Sequence, residues 1–455
     1  MMRVLVILLV ALPLVFGVRW LSQAFEVATG YSAKQLCSGV FVAGLPEAFI
    51  IENDIHVSME TLGPLLPQLG LSVDRAAGRA EASLLGTRAA AVLTGDAGCV
   101  LNPAESAAGV KASGISNSAT PLPPTVAAPP GLAAVIEEAF AEPDEGQRLT
   151  LAVLVMHAGE LVAERYADAV SPYTPLQGWS MNKSLMATWV GMQVRAGALA
   201  LERPLAPLVA QDAPALAQSL DPSLNMGHLL HMESGLDFEE TYLPGDDATR
   251  MLYRSPAAWR VAPGNGHRYP PGQHFSYSSG DTNLASWVWQ QSLDRPYTEW
   301  LQQRFIEALG LSRMTSEHDA SGVQVGSSFT YMTARDWARV GQFWLSAWRE
   351  GSALLPDGWM REAAAPRPAA VHGNYGRGFW LNAQGRDFPN LPRNLFYASG
   401  HNGQFVVVFP DEDVVVVRLG LSSGNAATGL TPLLEGVLAN LPARGRIAVA
   451  QPSGR

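Results

Sequence analysis

Four things are scarce in this 455-residue chain: cysteine, charge, basic runs and repeats. There are two cysteines, Cys37 and Cys99, both in the first quarter and with no Cys-x-x-Cys between them. That excludes a cysteine-built metal ribbon or a thioredoxin-like redox motif. Charged residues make up only 16% of the chain and its net charge is −10. No basic run follows a phosphate backbone, so nucleic acid is not an expected partner. No internal repeat recurs, which excludes a solenoid, and strand and helix patterns do not alternate as a doubly wound parallel sheet requires.

What is abundant is apolar sequence. The hydrophobic fraction is 47% with 12 Trp, enough for a large core and too much for wholesale disorder. Met1-Met2-Arg3 precedes fifteen apolar residues, Val4 to Val18, and then Arg19-Trp20. A basic start and an apolar run describe an export signal. The run is short for a spanning helix, yet no clear Ala-x-Ala cleavage site follows. The expectation is an uncleaved inner-membrane anchor over residues 4–21 of an exported, periplasmic protein, with a cleaved signal or a buried core helix at the terminus as the alternatives. In an oxidising compartment Cys37 and Cys99 are expected to pair; two unpaired buried thiols are the other reading.

Composition then divides the chain. Residues 1–26 are read as signal or anchor, 27–112 as a small N-terminal domain, and the Pro/Ser/Ala-rich 113–131 as a linker. Residues 132–445 form the main domain and 446–455 a tail. In the N-terminal part, Ser38 to Gly44 reads as a strand, and Ala80–Leu85 with Ala89–Leu93 as a hairpin around Gly86. In the main domain, Leu132 to Phe140 reads as a helix. Leu149–Met156 and Leu161–Tyr166 read as paired strands, as do Gln404–Phe409 and Val414–Leu419 across Pro410-Asp411-Glu412-Asp413. A helical run from Leu430 to Leu441 follows. Strands at both ends with helical sequence between imply an α+β fold: an antiparallel sheet flanked by helices, with a helical insertion.

The chemistry begins at Gly178-Trp179-Ser180-Met181-Asn182-Lys183. Residues three apart on a helix share a face, so Lys183 can reach the Ser180 hydroxyl. A serine is a weak nucleophile until a neighbour takes its proton, and a lysine in an apolar pocket can do so. Alone, Ser-x-x-Lys is a common chance match. It is followed, however, by Tyr277-Ser278-Ser279-Gly280 and, before the last strand pair, by Gly400-His401-Asn402-Gly403-Gln404. In this order the three segments resemble the β-lactamase and penicillin-recognising serine hydrolases, most of all the class C-like branch with its esterases, D-amino-acid peptidases and 6-aminohexanoate-dimer hydrolases. The segments Leu229 to Asp237 and Gly197 to Leu201 are similar to that branch as well. The resemblance spans about residues 132–441.

That resemblance implies a β-lactamase/transpeptidase-like fold and an acyl-enzyme on Ser180, with Lys183 and Tyr277 sharing proton transfer. It implies that Ser279 contacts substrate or Lys183, and that His401, Gly403 and Gln404 line the substrate site. Backbone N–H groups of Ser180 and Gln404 would hold the oxyanion. Penicillin-binding members place lysine where His401 stands. A histidine is mostly neutral near pH 7, which weakens recognition of a substrate carboxylate.

The implied activity is therefore hydrolysis of an amide or ester, with a small molecule or peptide as substrate and no cofactor. A β-lactamase or D-Ala carboxypeptidase, and a catalytically silent envelope scaffold, are the alternatives. His228 and His231 share a helical face, but without His-Glu-x-x-His they are not read as metal ligands. Asp237 and Asp281 are read as turn or cap residues, and Trp287, Trp289 and Trp300 as core. Oligomeric state is left open.

Overall fold

The computed structural model describes residues 2–103, 129–141, 148–422 and 428–441. Residues 113–128 of the expected linker and the expected 446–455 tail lie outside the described residues.

Six antiparallel strands form the main sheet, in the order Trp380–Leu381, Phe396–Gly400, Gln404–Phe409, Val414–Gly420, Thr150–His157 and Glu160–Tyr166. The β-branched runs explain why these segments are strands, and alternation along them sorts the side chains to two faces. Val407, Phe409, Val153, Val155, Val414 and Val416 pack on one face with Leu132, Ile136, Leu433, Leu434 and Val437. Those partners belong to the helices Pro130–Ala139 and Leu430–Asn440. Val406, Val408, Leu154, Val415 and Val417 point the other way, into the larger core with Trp337, Val340 and Trp344.

The latter three lie on helix Ala334–Glu350, which starts with a reciprocal cap. The Thr333 hydroxyl accepts from Asp336 N–H and donates to the Asp336 carboxylate, satisfying backbone and side chain together. At Gly341 the helix comes so close to the sheet that a Cβ would meet Val415 Cγ1 at 2.5 Å. Between the outer strands lies a helical insertion, including Asn182–Arg195 and Ser279–Gln291. A small three-stranded sheet of Pro175–Gln177, Thr330–Thr333 and Met314–Ser316 adjoins it; these strands are too short to leave a pattern in the sequence. Trp287, Trp289 and Trp300 are buried in the core, as expected.

The N-terminal part has its own four-stranded antiparallel sheet, Gly70–Asp74, Arg79–Leu84, Thr87–Leu93 and Cys99–Leu101. The expected hairpin is there, turning through Leu85 and Gly86, both at positive φ, as a tight two-residue connection requires. Helix Met2–Cys37 covers this sheet, with Ala33 and Leu36 against Ala80, Ala82 and Ala91. Ser38 to Gly44 is not a strand. The chain stays helical through Ser38–Ala43 and is capped by Gly44 at φ 70°. A short, wholly apolar run has no periodicity to separate strand from buried helix; contact decides, since a Cβ on Gly39 would strike Ile50 at 2.4 Å. Cys37 and Cys99 form a disulfide with Cα atoms 6.1 Å apart, joining the end of the long helix to the last strand. Among the described residues no helix is long and apolar enough to cross a membrane.

Candidate active site

Ser180 lies in a tight turn (Trp179–Met181) at the head of helix Asn182–Arg195. Asn182 anchors this corner through Val325 O at 3.0 Å and the Thr330 hydroxyl at 2.8 Å. Trp179 takes φ +48°, a left-handed conformation that a large side chain holds only when packing over-determines it. Tyr31, Phe329 and His401 supply that packing, with ring centroids at 6.4, 6.1 and 5.3 Å.

One helical turn on, Lys183 Nζ lies 2.9 Å from Ser180 Oγ and 2.9 Å from Ser279 Oγ. It is 2% exposed, and burial draws its pKa down from 10.5 to about 8, with Glu240 opposing. Tyr277, from the loop before helix Ser279–Gln291, places its ring 4.8 Å from the same ammonium. Burial and the nearby Glu240 push the Tyr277 pKa up, while hydrogen bonds to Ser180 and Trp380 oppose the rise. Ser180, Lys183, Tyr277 and Ser279 therefore converge as the sequence predicted.

The turn after strand Phe396–Gly400 closes on this corner. A Cβ on Gly400 would lie 2.1 Å from Gly178 O, so the two backbones are in contact. Asn402 and Gly403 take φ +61° and +82°. At Gly403 a side chain would also collide with the buried Arg418, whose Nη1 donates to Gly403 O at 2.7 Å. Gln404 pins the turn to its neighbours: Nε2 donates to His401 O at 2.9 Å, and Oε1 accepts from Gly420 N at 3.1 Å. His401 stands at the solvent edge between Trp179 and Tyr242, 6.2 Å from the latter ring. Burial lowers its pKa from the ordinary imidazole value, with Asp54 opposing.

Two acidic groups of this region carried no signal in the sequence. Glu240 Oε1 accepts from Ser279 Oγ and its Oε2 from Ser279 N, both at 2.6 Å. It sits in a loop with no motif, and only folding brings it to the helix start. Asp54 comes from the N-terminal part, where Gln35 donates to it at 2.9 Å and Tyr31 also donates. Asp54, Trp179 and Gln404 line a common cavity of about 50 Å³. An aromatic cluster borders the other side of Tyr277: Tyr375 at 5.9 Å and Trp380 at 5.0 Å.

The remaining candidates are structural in their contacts. His231 Nδ1 lies 2.7 Å from Gly227 O, and Asp237 pairs with Arg268 at 2.6 Å. The Asp281 N–H donates to Ser278 Oγ at 2.9 Å, and its carboxylate accepts from Ser234 Oγ at 2.7 Å. Among the described residues no three His, Cys, Asp or Glu side chains form a metal-holding group.

Comparison with known proteins agrees with this geometry. A family model described as Beta-lactamase matches residues 132–430. The 6-aminohexanoate-dimer hydrolase of Paenarthrobacter ureafaciens is 27% identical over 306 residues, 61% of this chain and 75% of that protein. Among solved structures, a penicillin-binding protein homologue from Caulobacter crescentus superposes with TM-score 0.54 at 19% identity, covering 70% of this chain and 99% of the other. EstCE1, described as a hydrolase with promiscuous acyltransferase activity, gives TM-score 0.56 at 16% identity over 68% and 97%. With the β-lactamase/transpeptidase-like fold in place and two thirds of its length matched, the chain belongs to the β-lactamase family of hydrolases.

Proposed function

We propose that this chain is a serine hydrolase that cleaves an amide or ester bond through an acyl intermediate on Ser180. The observation that carries the reading is the buried Lys183 amine, 2.9 Å from Ser180 Oγ and lowered to about 8. A base titrating near the working pH is the effective kind. Neutral Lys183 takes the Ser180 proton as Oγ bonds to the substrate carbonyl carbon. Tyr277, whose phenol is kept protonated by burial, then passes a proton to the departing nitrogen or oxygen, and the scissile bond breaks. Water attacks the acyl-serine by the reverse route and releases the acid. The oxyanion is assigned to the backbone N–H groups of Ser180 and Gln404, an assignment that the close approach of Gly400 to Gly178 O supports.

The substrate class follows from the rim. A histidine is mostly neutral near pH 7 and burial draws the His401 pKa lower still, so this position offers no fixed cation to a substrate carboxylate. That favours an amide or ester without a carboxylate there over a β-lactam. The test is turnover of p-nitrophenyl esters, short ω-amino-acid amides, D-amino-acid amides and nitrocefin, with fluorophosphonate labelling, on wild type and Ser180→Ala. Loss of both turnover and label in Ser180→Ala is expected; a label that survives the change would refute the reading. Covalent trapping of penicillin on Ser180 would move the assignment to a cell-wall carboxypeptidase or β-lactamase.

We further propose that the protein lies outside the cytoplasm, held at the inner membrane by residues 4–21. The Cys37–Cys99 disulfide supports export. Cell fractionation with alkaline extraction tests this, and recovery of the full-length chain in the cytosolic fraction would overturn it.

A further inference from the structure

Ser180, Lys183 and Tyr277 account for the nucleophile and the proton carriers, but not for the carboxylate beside them. Glu240 makes three contacts. It accepts from Ser279 Oγ and Ser279 N, both at 2.6 Å, and from the Tyr242 hydroxyl at 3.0 Å. The first of these decides the orientation of Ser279. With its proton directed to Glu240, the Ser279 oxygen turns a lone pair toward Lys183 Nζ, 2.9 Å away. A line of hydrogen bonds thus runs Ser180–Lys183–Ser279–Glu240, ending in a negative charge.

We propose that Glu240 is a positioning residue of the reaction: acting through Ser279, it stabilises the ammonium that Lys183 becomes on taking the Ser180 proton. The inference rests on the serine-hydrolase reading above. Its chemistry is a proton moved from Ser180 Oγ to Lys183 Nζ, with charge separation eased by the carboxylate beyond. Chains of hydrogen bonds in a poorly solvated site polarise one another in this way. Desolvation works against a charged Lys183, and Glu240 is the group that opposes it. Two opposing influences leave the amine titrating at about 8.

The groups facing this line are few. Tyr277 lies over the ammonium, and Ser327 O stands 3.5 Å from it. Tyr242 touches the far side of Glu240, and His401 with Asp54 lies beyond Tyr242. Asp281, on the same helix as Ser279, is bonded to Ser234 and raised to about 7, chiefly by burial and also by Glu240. It titrates close enough to confuse a pH profile, so an Asp281→Asn background is the control.

The experiment is the pH dependence of kcat/KM for an activated ester, on the full chain, for wild type and Glu240→Gln. Glutamine keeps an acceptor for Ser279 and removes the charge. Neutral Lys183 is the active form, so the rate rises with pH through its pKa. In Glu240→Gln that limb should move to lower pH by roughly one unit, the low end of the effect of an opposite charge. The plateau should fall about ten-fold, the factor that one pKa unit carries, with Glu240→Asp restoring most of it. A role confined to holding the loop or the helix start would lower the melting temperature or raise KM and leave the limb in place. An unmoved limb overturns the proposal. If Glu240→Gln does not fold, Ser279→Ala severs the same line and is read by the same shift. Ser180→Ala reports on the hydrolase reading separately: activity lost there with the limb unmoved in Glu240→Gln refutes this inference alone.

Discussion

Lys34 Nζ meets Glu317 Oε2 at 2.6 Å, with exposures of 2% and 0%. The lysine lies on the N-terminal helix, and the glutamate follows strand Met314–Ser316 of the hydrolase body. The Glu317 carboxylate also accepts from the N-terminal side: Ser38 Oγ donates at 2.9 Å and Cys99 N at 2.7 Å. A buried charge of this kind is costly once its partner is gone. Lys34→Met should therefore destabilise the protein by about 3–5 kcal/mol, read from denaturant unfolding. Adding Glu317→Gln should recover part of the loss, because the unpaired charge goes with it.

The Cys37–Cys99 disulfide closes a loop of 62 residues beside that ion pair. Its removal should cost up to about 4 kcal/mol on the chain-entropy account. The comparison is Cys37→Ser/Cys99→Ser against the oxidised protein; an unchanged midpoint would show that the Lys34–Glu317 contact suffices to dock the helix.

Gly400→Ala forces a Cβ to within 2.1 Å of Gly178 O. The clash is backbone against side chain, so the turn carrying His401 and Gln404 must move away from Ser180. A misplacement of about 1 Å at a reacting centre costs on the order of 100-fold. Turnover should fall by that order while the melting temperature drops modestly; wild-type kcat/KM would remove Gln404 from the oxyanion role.

Asp281 bears on stability as a function of pH. Its folded-state pKa is raised from 3.8 to about 7 by burial, so the folded protein binds its proton more tightly than the unfolded chain. The protonated form's contribution is complete below about pH 4 and is lost as pH rises through about 7. Asp281→Asn should keep the Ser234 hydrogen bond, remove this slope, and melt above wild type at pH 8 by more than at pH 5.

The legible parts of the fold were those with a strong period. Gln404–Phe409 and Val414–Gly420 alternate between two apolar faces, and this holds wherever the segment lies in space. Ser38 to Gly44 was misread because a short apolar run has no period; Ile50, packed on Gly39, settles it as helix. The three short strands around Thr330–Thr333 are set by pairing alone.

The site divides in the same way. The three-residue spacing of Ser180 and Lys183 indicated a shared face, but it took the later segments and the family resemblance to single the pair out; the structure places them 2.9 Å apart. Tyr277, Ser279, His401 and Gln404 were legible through their resemblance to a family pattern. Glu240 and Asp54 were not, because neither belongs to a local repeat or to that pattern. Glu240 reaches Ser279 across 39 residues of sequence, and Asp54 approaches His401 from the far end of the chain. Local geometry is a property of the covalent chain and can be read from spacing. The charges near Ser180 and Lys183 act through space, and their distances exist only once the sheet, the insertion and the N-terminal helix have packed.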